Sequence, residues 1–149
     1  QMLARFGVDV IALSPKIVII LGGSNDLGWG LSPPHEIFSN LHQMYGFSLK
    51  SGIVPIACTV PSVLGFDTGI PPRIELNRMI EEHSSKARLQ CVDLFSATVD
   101  PSTRQLDPRY SSDGLHLNVD GCIRMGITIC REGLAPLLRA LVAEAAETE

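Results

Sequence analysis

The sequence predicts an α/β fold, a three-layer α/β/α sandwich with helices on both faces of a parallel sheet. Two observations carry this reading. Segments with helical spacing of apolar residues alternate with short β-branched or apolar runs, the order that parallel strands joined by crossover helices require. The runs at 16–22 and 53–60 are predominantly apolar, as strands covered on both faces are. A length of 149 residues with 45% hydrophobic content fits a single domain over 1–149 with no linker.

Leu3, Phe6, Val10 and Leu13 recur at helical spacing, which predicts a helix over 1–13 that stops before Pro15. A strand follows at 16–22 and ends on Gly22-Gly23. Ser32 and Pro33 read as a cap and first turn, and Ile37, Leu41, Met44 and Leu49 continue an inward stripe until Gly52. The strand at 53–60 runs into a loop at 61–72 rich in proline and glycine, then a helix at 73–86 and a strand at 90–95. Ile123, Ile127, Cys130, Leu134, Leu138 and Leu141 form one apolar seam on a C-terminal helix, with a bend expected at Pro136.

The order opens on a helix, and a crossover helix needs a strand to cross from. The chain also begins with Gln. The expectation is therefore that a first strand lies ahead of Gln1, and that without it an exposed sheet edge invites self-association.

A net charge of −4 without a cluster of basic residues argues against nucleic acid and anionic membranes as partners, and favours a small neutral or weakly polar ligand. The apolar run at 17–21 is too short to insert in a membrane, and no secretion-signal layout opens the chain. Cys58, Cys91, Cys122 and Cys130 are irregularly spaced, which suits reduced structural thiols and favours the cytoplasm. No cofactor or metal is expected, since His35 and His42 fit a solvated helix face.

Functional loops of an open parallel sheet leave the C-terminal ends of its strands, which singles out 22–26 and 60–69. Asn25 places a side-chain amide donor just beyond a buried strand, where an acyl-transfer site could hold a developing oxyanion. Gly23 and Asp26 would support that turn, with Asp26 accepting backbone N–H bonds. Asp113-Gly114-Leu115-His116 supplies a carboxylate three residues before an imidazole, and an Asp that accepts from Nδ1 fixes the tautomer a general base needs. Ser24 follows Gly22 as in a nucleophile elbow, but Asp26 stands where the elbow needs a small residue. Leu27, Trp29, Leu31, Val63, Leu64, Phe66 and Leu115 fall on the same rim, and Trp29, Leu64 and Leu115 are the candidate substrate contacts.

These blocks resemble those of SGNH hydrolases, the GDSL esterase and lipase superfamily. Gly23-Ser24-Asn25-Asp26 is similar to its Gly-x-Asn-Asp block and Asp113-Gly114-Leu115-His116 to its Asp-x-x-His block, in the same order. The resemblance implies a flavodoxin-like sheet and a serine ester hydrolase acting on small or medium acyl esters. It assigns His116 as general base, Asp113 as its orienting acid and Asn25 as an oxyanion donor. The family's Gly-Asp-Ser block and the block holding its oxyanion glycine have no match here, so the resemblance implies a chain that carries the base but not the serine. Other readings stay open: a noncatalytic ligand-binding remnant of the same fold, a nucleotide-binding module on the glycine turn, or a glycosidase using Asp26 and Asp113.

Overall fold

Three parallel strands lie in the order β1-β2-β3: β1 (Ile17–Ile20), β2 (Val54–Cys58) and β3 (Gln90–Val92). The computed structural model describes residues 1–146, apart from the side chains at 141, 144 and 145. Its register sets Ile19 opposite Ile56 and Ala57 opposite Cys91. Successive side chains leave a strand on opposite faces, so this register divides the core in two. On one face Ile20 and Ala57 join Phe6 of α1 (Met2–Asp9), Leu41 and Met44 of α3 (Pro34–Lys50), and Leu76 and Ile80 of α4 (Ile70–Ala87). On the other, Ile56, Cys58 and Val92 meet Met125 of α6 (Val119–Thr128), Ile129 and Leu134 of a π-helical stretch (Ile129–Leu134), and Leu137 of α7 (Ala135–Ala146). The three layers read from the alternating pattern are present. No helix among the described residues is long and apolar enough to cross a membrane.

Several boundaries differ from expectation, each for a local reason. Helix α1 ends at Asp9, and Leu13 lies 74% exposed on a following 3-10 turn (Ile11–Leu13). Pro33 rather than Ser32 occupies the cap position of α3. The inward stripe of α3 runs through Ile37, Leu41, Met44 and Ser48, the helical repeat, which leaves Leu49 outside. Pro71 and Pro72 belong to the first turn of α4 rather than to a loop, because the amides they lack have no helical partner there. Strand β3 stops at Val92, since Asp93 caps α5 (Leu94–Thr98) by accepting from the Ser96 N–H at 3.0 Å.

The C-terminal seam is turned around. Ile123, Ile127, Cys130 and Leu138 are exposed, and of the expected seam Leu134 packs on the sheet, while Leu141 lies outside the described side chains. The inward face instead carries Met125, Ile129, Leu134 and Leu137, with the small residues Gly121, Thr128 and Gly133 buried beside them. Gly133 brings the helix backbone so close to the sheet that a Cβ there would lie 2.9 Å from Val92 Cγ2. The bend expected at Pro136 appears as the π-helical stretch just before it. Pro136 has no N–H for the Glu132 carbonyl, and Gln90 Nε2, from the start of β3, donates to that oxygen at 2.6 Å. Strand β1 is less covered than a doubly buried strand, with Ile19 42% exposed.

We expect Gly133→Ala to lower stability by about 1–3 kcal/mol through overpacking against Val92, read as a fall in Tm. A second expectation concerns acid. The His83 ring centroid lies 4.6 Å from that of His42 and 5.9 Å from that of Tyr45, and burial, then His42 and Lys86, hold its pKa below the ordinary 6.5. The unfolded chain therefore binds the proton more readily, so stability is lost as pH falls from above 6.5 through the lower folded value. His83→Phe should flatten that part of the Tm–pH curve.

Candidate active site

The turn after β1 is built around Gly23. Its φ of +109° suits glycine, and a Cβ would fall 2.7 Å from Ile37 Cγ2 and 2.9 Å from a Leu76 methyl. This close approach lets α2 (Ser24–Gly28) start directly over the helical layer, with Leu27 N–H donating to Gly23 O at 3.0 Å. Asn25 is exposed on the first turn of α2, and its side-chain amide forms no hydrogen bond among the described residues. Asp26 supports the turn differently than expected. Its backbone carbonyl accepts from Leu31 N–H at 2.9 Å, while its carboxylate, inside the helical turn, takes no backbone N–H among the described residues.

The second loop is organised by Asp113. Its Oδ2 lies 2.7 Å from His116 Nδ1, and its Oδ1 accepts from the backbone N–H groups of Leu115 at 2.9 Å and His116 at 2.8 Å. The His116 hydrogen bond, followed by these two amides, holds the Asp113 carboxyl well below the usual carboxylate range. Ser111 Oγ closes the loop from beneath, donating to His116 O at 2.7 Å and accepting from Gly114 N–H at 2.9 Å. Gly114 sits at φ +82°, where a Cβ would meet Leu64 O at 2.5 Å, and its own carbonyl accepts from Leu64 N–H at 2.8 Å. That contact pins the Asp113 loop to the loop that follows β2. With Nδ1 engaged by an ionised carboxylate, Nε2 is the nitrogen left to accept a proton.

Both loops open on one cavity of about 400 Å³, whose wall includes Asn25, Asp113 and Gly114. Trp29, Leu64 and Leu115 line it, as do Val63 and Phe66. His116 follows directly on this wall, its side chain 78% exposed rather than among the lining groups. Leu27 is not on the rim but in the core, and Leu31 faces a second cleft of about 600 Å³. The two cavities share Ser24, Asn25 and Trp29. Sequence reasoning missed Arg73, which is buried in the wall of the smaller cavity. Its signal was a charged residue on the helical stripe that continues through Leu76, Asn77, Ile80 and Ser84.

The loop holding the Asp113–His116 pair and the turn holding Asn25 thus meet at one cavity. The GDSL-like lipase/acylhydrolase family model matches residues 1–122. The chain belongs to this family. Its membership makes it a hydrolase of the kind that acts on ester bonds. A GDSL-like lipase from Bacteroides thetaiotaomicron is 27% identical, with a TM-score of 0.80 over 88% of this chain and 68% of that one. An acetylxylan esterase from Geobacillus stearothermophilus, at 21% identity, shares the fold with a TM-score of 0.76 over 88% of this chain and 65% of that one. The chain thus spans about two thirds of the length of these structures. No curated protein sequence matches it.

Gly114→Ala should displace the Asp113 loop from Leu64, because the new methyl meets a backbone oxygen in a backbone region that L side chains rarely adopt. A loss of about 1–3 kcal/mol in a thermal melt is expected, together with a changed His116 imidazole signal in nitrogen NMR.

Proposed function

We propose that the chain supplies the base and oxyanion groups of a serine esterase acting on small or medium acyl esters. The observation that carries this is the 2.7 Å contact between Asp113 and His116, on a loop that lines the same cavity as the unengaged amide of Asn25. In the proposed reaction His116 Nε2 takes the proton of a serine hydroxyl as its oxygen bonds to the ester carbonyl carbon. Negative charge moves to the former carbonyl oxygen, which the Asn25 amide receives. Asp113 offsets the positive charge then held on the imidazole. Collapse of the tetrahedral intermediate breaks the ester C–O bond, and the imidazolium returns its proton to the departing alkoxide. Water, deprotonated by the same nitrogen, then cleaves the acyl-enzyme to release the acid and restore the serine.

The hydroxyl is proposed to come from a serine outside these 149 residues. Ser111 Oγ is committed to His116 O, and Ser62 Oγ is buried and donates to Arg104 O at 2.7 Å. Ser24 lines the cavity, yet Asp26 stands where a nucleophile elbow needs a small residue. The larger cleft on the other side of Asn25 gives a visiting segment room. Trp29, Leu64 and Leu115 offer the acyl group an apolar wall.

Hydrolysis of p-nitrophenyl butyrate by the protein with its serine in place tests this reading. His116→Ala should reduce kcat by at least about a thousandfold with little change in KM, and Ser24→Ala should leave kcat unaltered. The 149-residue chain by itself should resist labelling by a fluorophosphonate. Full turnover in His116→Ala would refute the assignment.

A further inference from the structure

Arg73 is 1% exposed, and no carboxylate pairs with it among the described residues. Its Nη1 donates to Gly69 O at 2.8 Å and its Nη2 reaches Ser24 O at 3.5 Å, while Nε has no partner. A guanidinium carries more donors than two carbonyls can engage. Arg73 also stands in the first turn of α4, where the partial positive charge of the helix end adds to its own. A buried cation with neither a counter-ion nor a favourable helix end is an arrangement that folding alone opposes. Desolvation accordingly draws its pKa downward.

The place of this cation gives it a use. Arg73 belongs to the wall of the same cavity as Asn25, among apolar neighbours that include Trp29, Leu64 and Phe66. Apolar walls repel an ion that lacks a partner and strengthen the attraction between ions that have one. We propose that the cavity selects esters bearing a second, anionic group, such as the free carboxylate of a dicarboxylic half ester, which pairs with Arg73 while the ester carbonyl lies at Asn25. The inference rests on the esterase reading for the position of the carbonyl, but the carboxylate subsite can be measured without any turnover.

Trp29 is the single tryptophan of the chain and lies on the cavity wall, so its fluorescence reports occupancy directly. The 149-residue chain is titrated with monomethyl succinate and, separately, with neutral dimethyl succinate. The half ester should bind at least about tenfold more tightly, the scale of one hydrogen bond to a charged group. Arg73→Met should abolish that preference and Arg73→Lys should keep part of it. Equal binding of the two probes, no response to either, or an anion preference that survives in Arg73→Met would each overturn the inference. If Arg73→Met does not fold, the comparison of charged and neutral probes on the unaltered chain decides. Loss of the anion preference alongside hydrolysis that still depends on His116 would overturn only the subsite, whereas hydrolysis independent of His116 would overturn the esterase reading.

Discussion

The carboxylate of Asp113 accepts three N–H groups within its own loop, from Leu115, His116 and the His116 ring, and the rest of the site is arranged around that convergence. One charge thereby sets the backbone turn and the imidazole orientation together. The turn must then be held in space, and a carboxylate exposed to solvent cannot do that by itself. The bond from Leu64 N–H to Gly114 O does so, tying the loop to the segment that leaves β2. Because β2 is the central strand and its Ile56, Ala57 and Cys58 are fully buried, the position of the imidazole is referred back to the best-packed part of the molecule.

The same logic runs through the opposite layer. Gly133 lets the helical backbone approach Val92, and Gln90 caps the carbonyl that Pro136 leaves without a donor. A proline and a glycine that weaken the helix locally thus become the points at which it is locked to β3. The cost in helical hydrogen bonding is offset by a contact that isolated helix propensity does not contain.

The elements legible in the sequence were those whose signal is local. Apolar runs located β1 and β2, the helix–strand alternation placed β3, and the Asp–x–x–His spacing located the pair that the structure joins at 2.7 Å. Where the sequence misled, the deciding contact was distant. Ile123, Ile127 and Leu138 make an apolar seam by spacing, yet the helical segment turns Met125, Ile129, Leu134 and Leu137 to the sheet, a face on which Gly121 and Gly133 allow close approach to Tyr110 and Val92. Asp93 read as part of a strand because it lies between Cys91-Val92 and Leu94-Phe95, while the structure has it capping α5 by accepting from Ser96 N–H. Arg73 was passed over because a charged residue is ordinarily read as surface, and only the fold shows that its stripe position lies in a cavity wall.

Arg73 and His116 also show how unlike the demands on two cationic groups in one site can be. In the proposed reaction the imidazole exchanges protons with substrate and water and must be reachable, and His116 is exposed next to the cavity-lining Leu115 with its orientation supplied by Asp113. A guanidinium that only discriminates gains from the reverse setting, since its attraction for a carboxylate grows as water is excluded. The backbone carbonyls of Gly69 and Ser24 fix the plane of Arg73 without neutralising it. Acidic side chains at those positions would have satisfied the charge and silenced it toward any ligand. Neutral acceptors hold the group in place without supplying a counter-ion, and in the proposed subsite that counter-ion comes from the ligand.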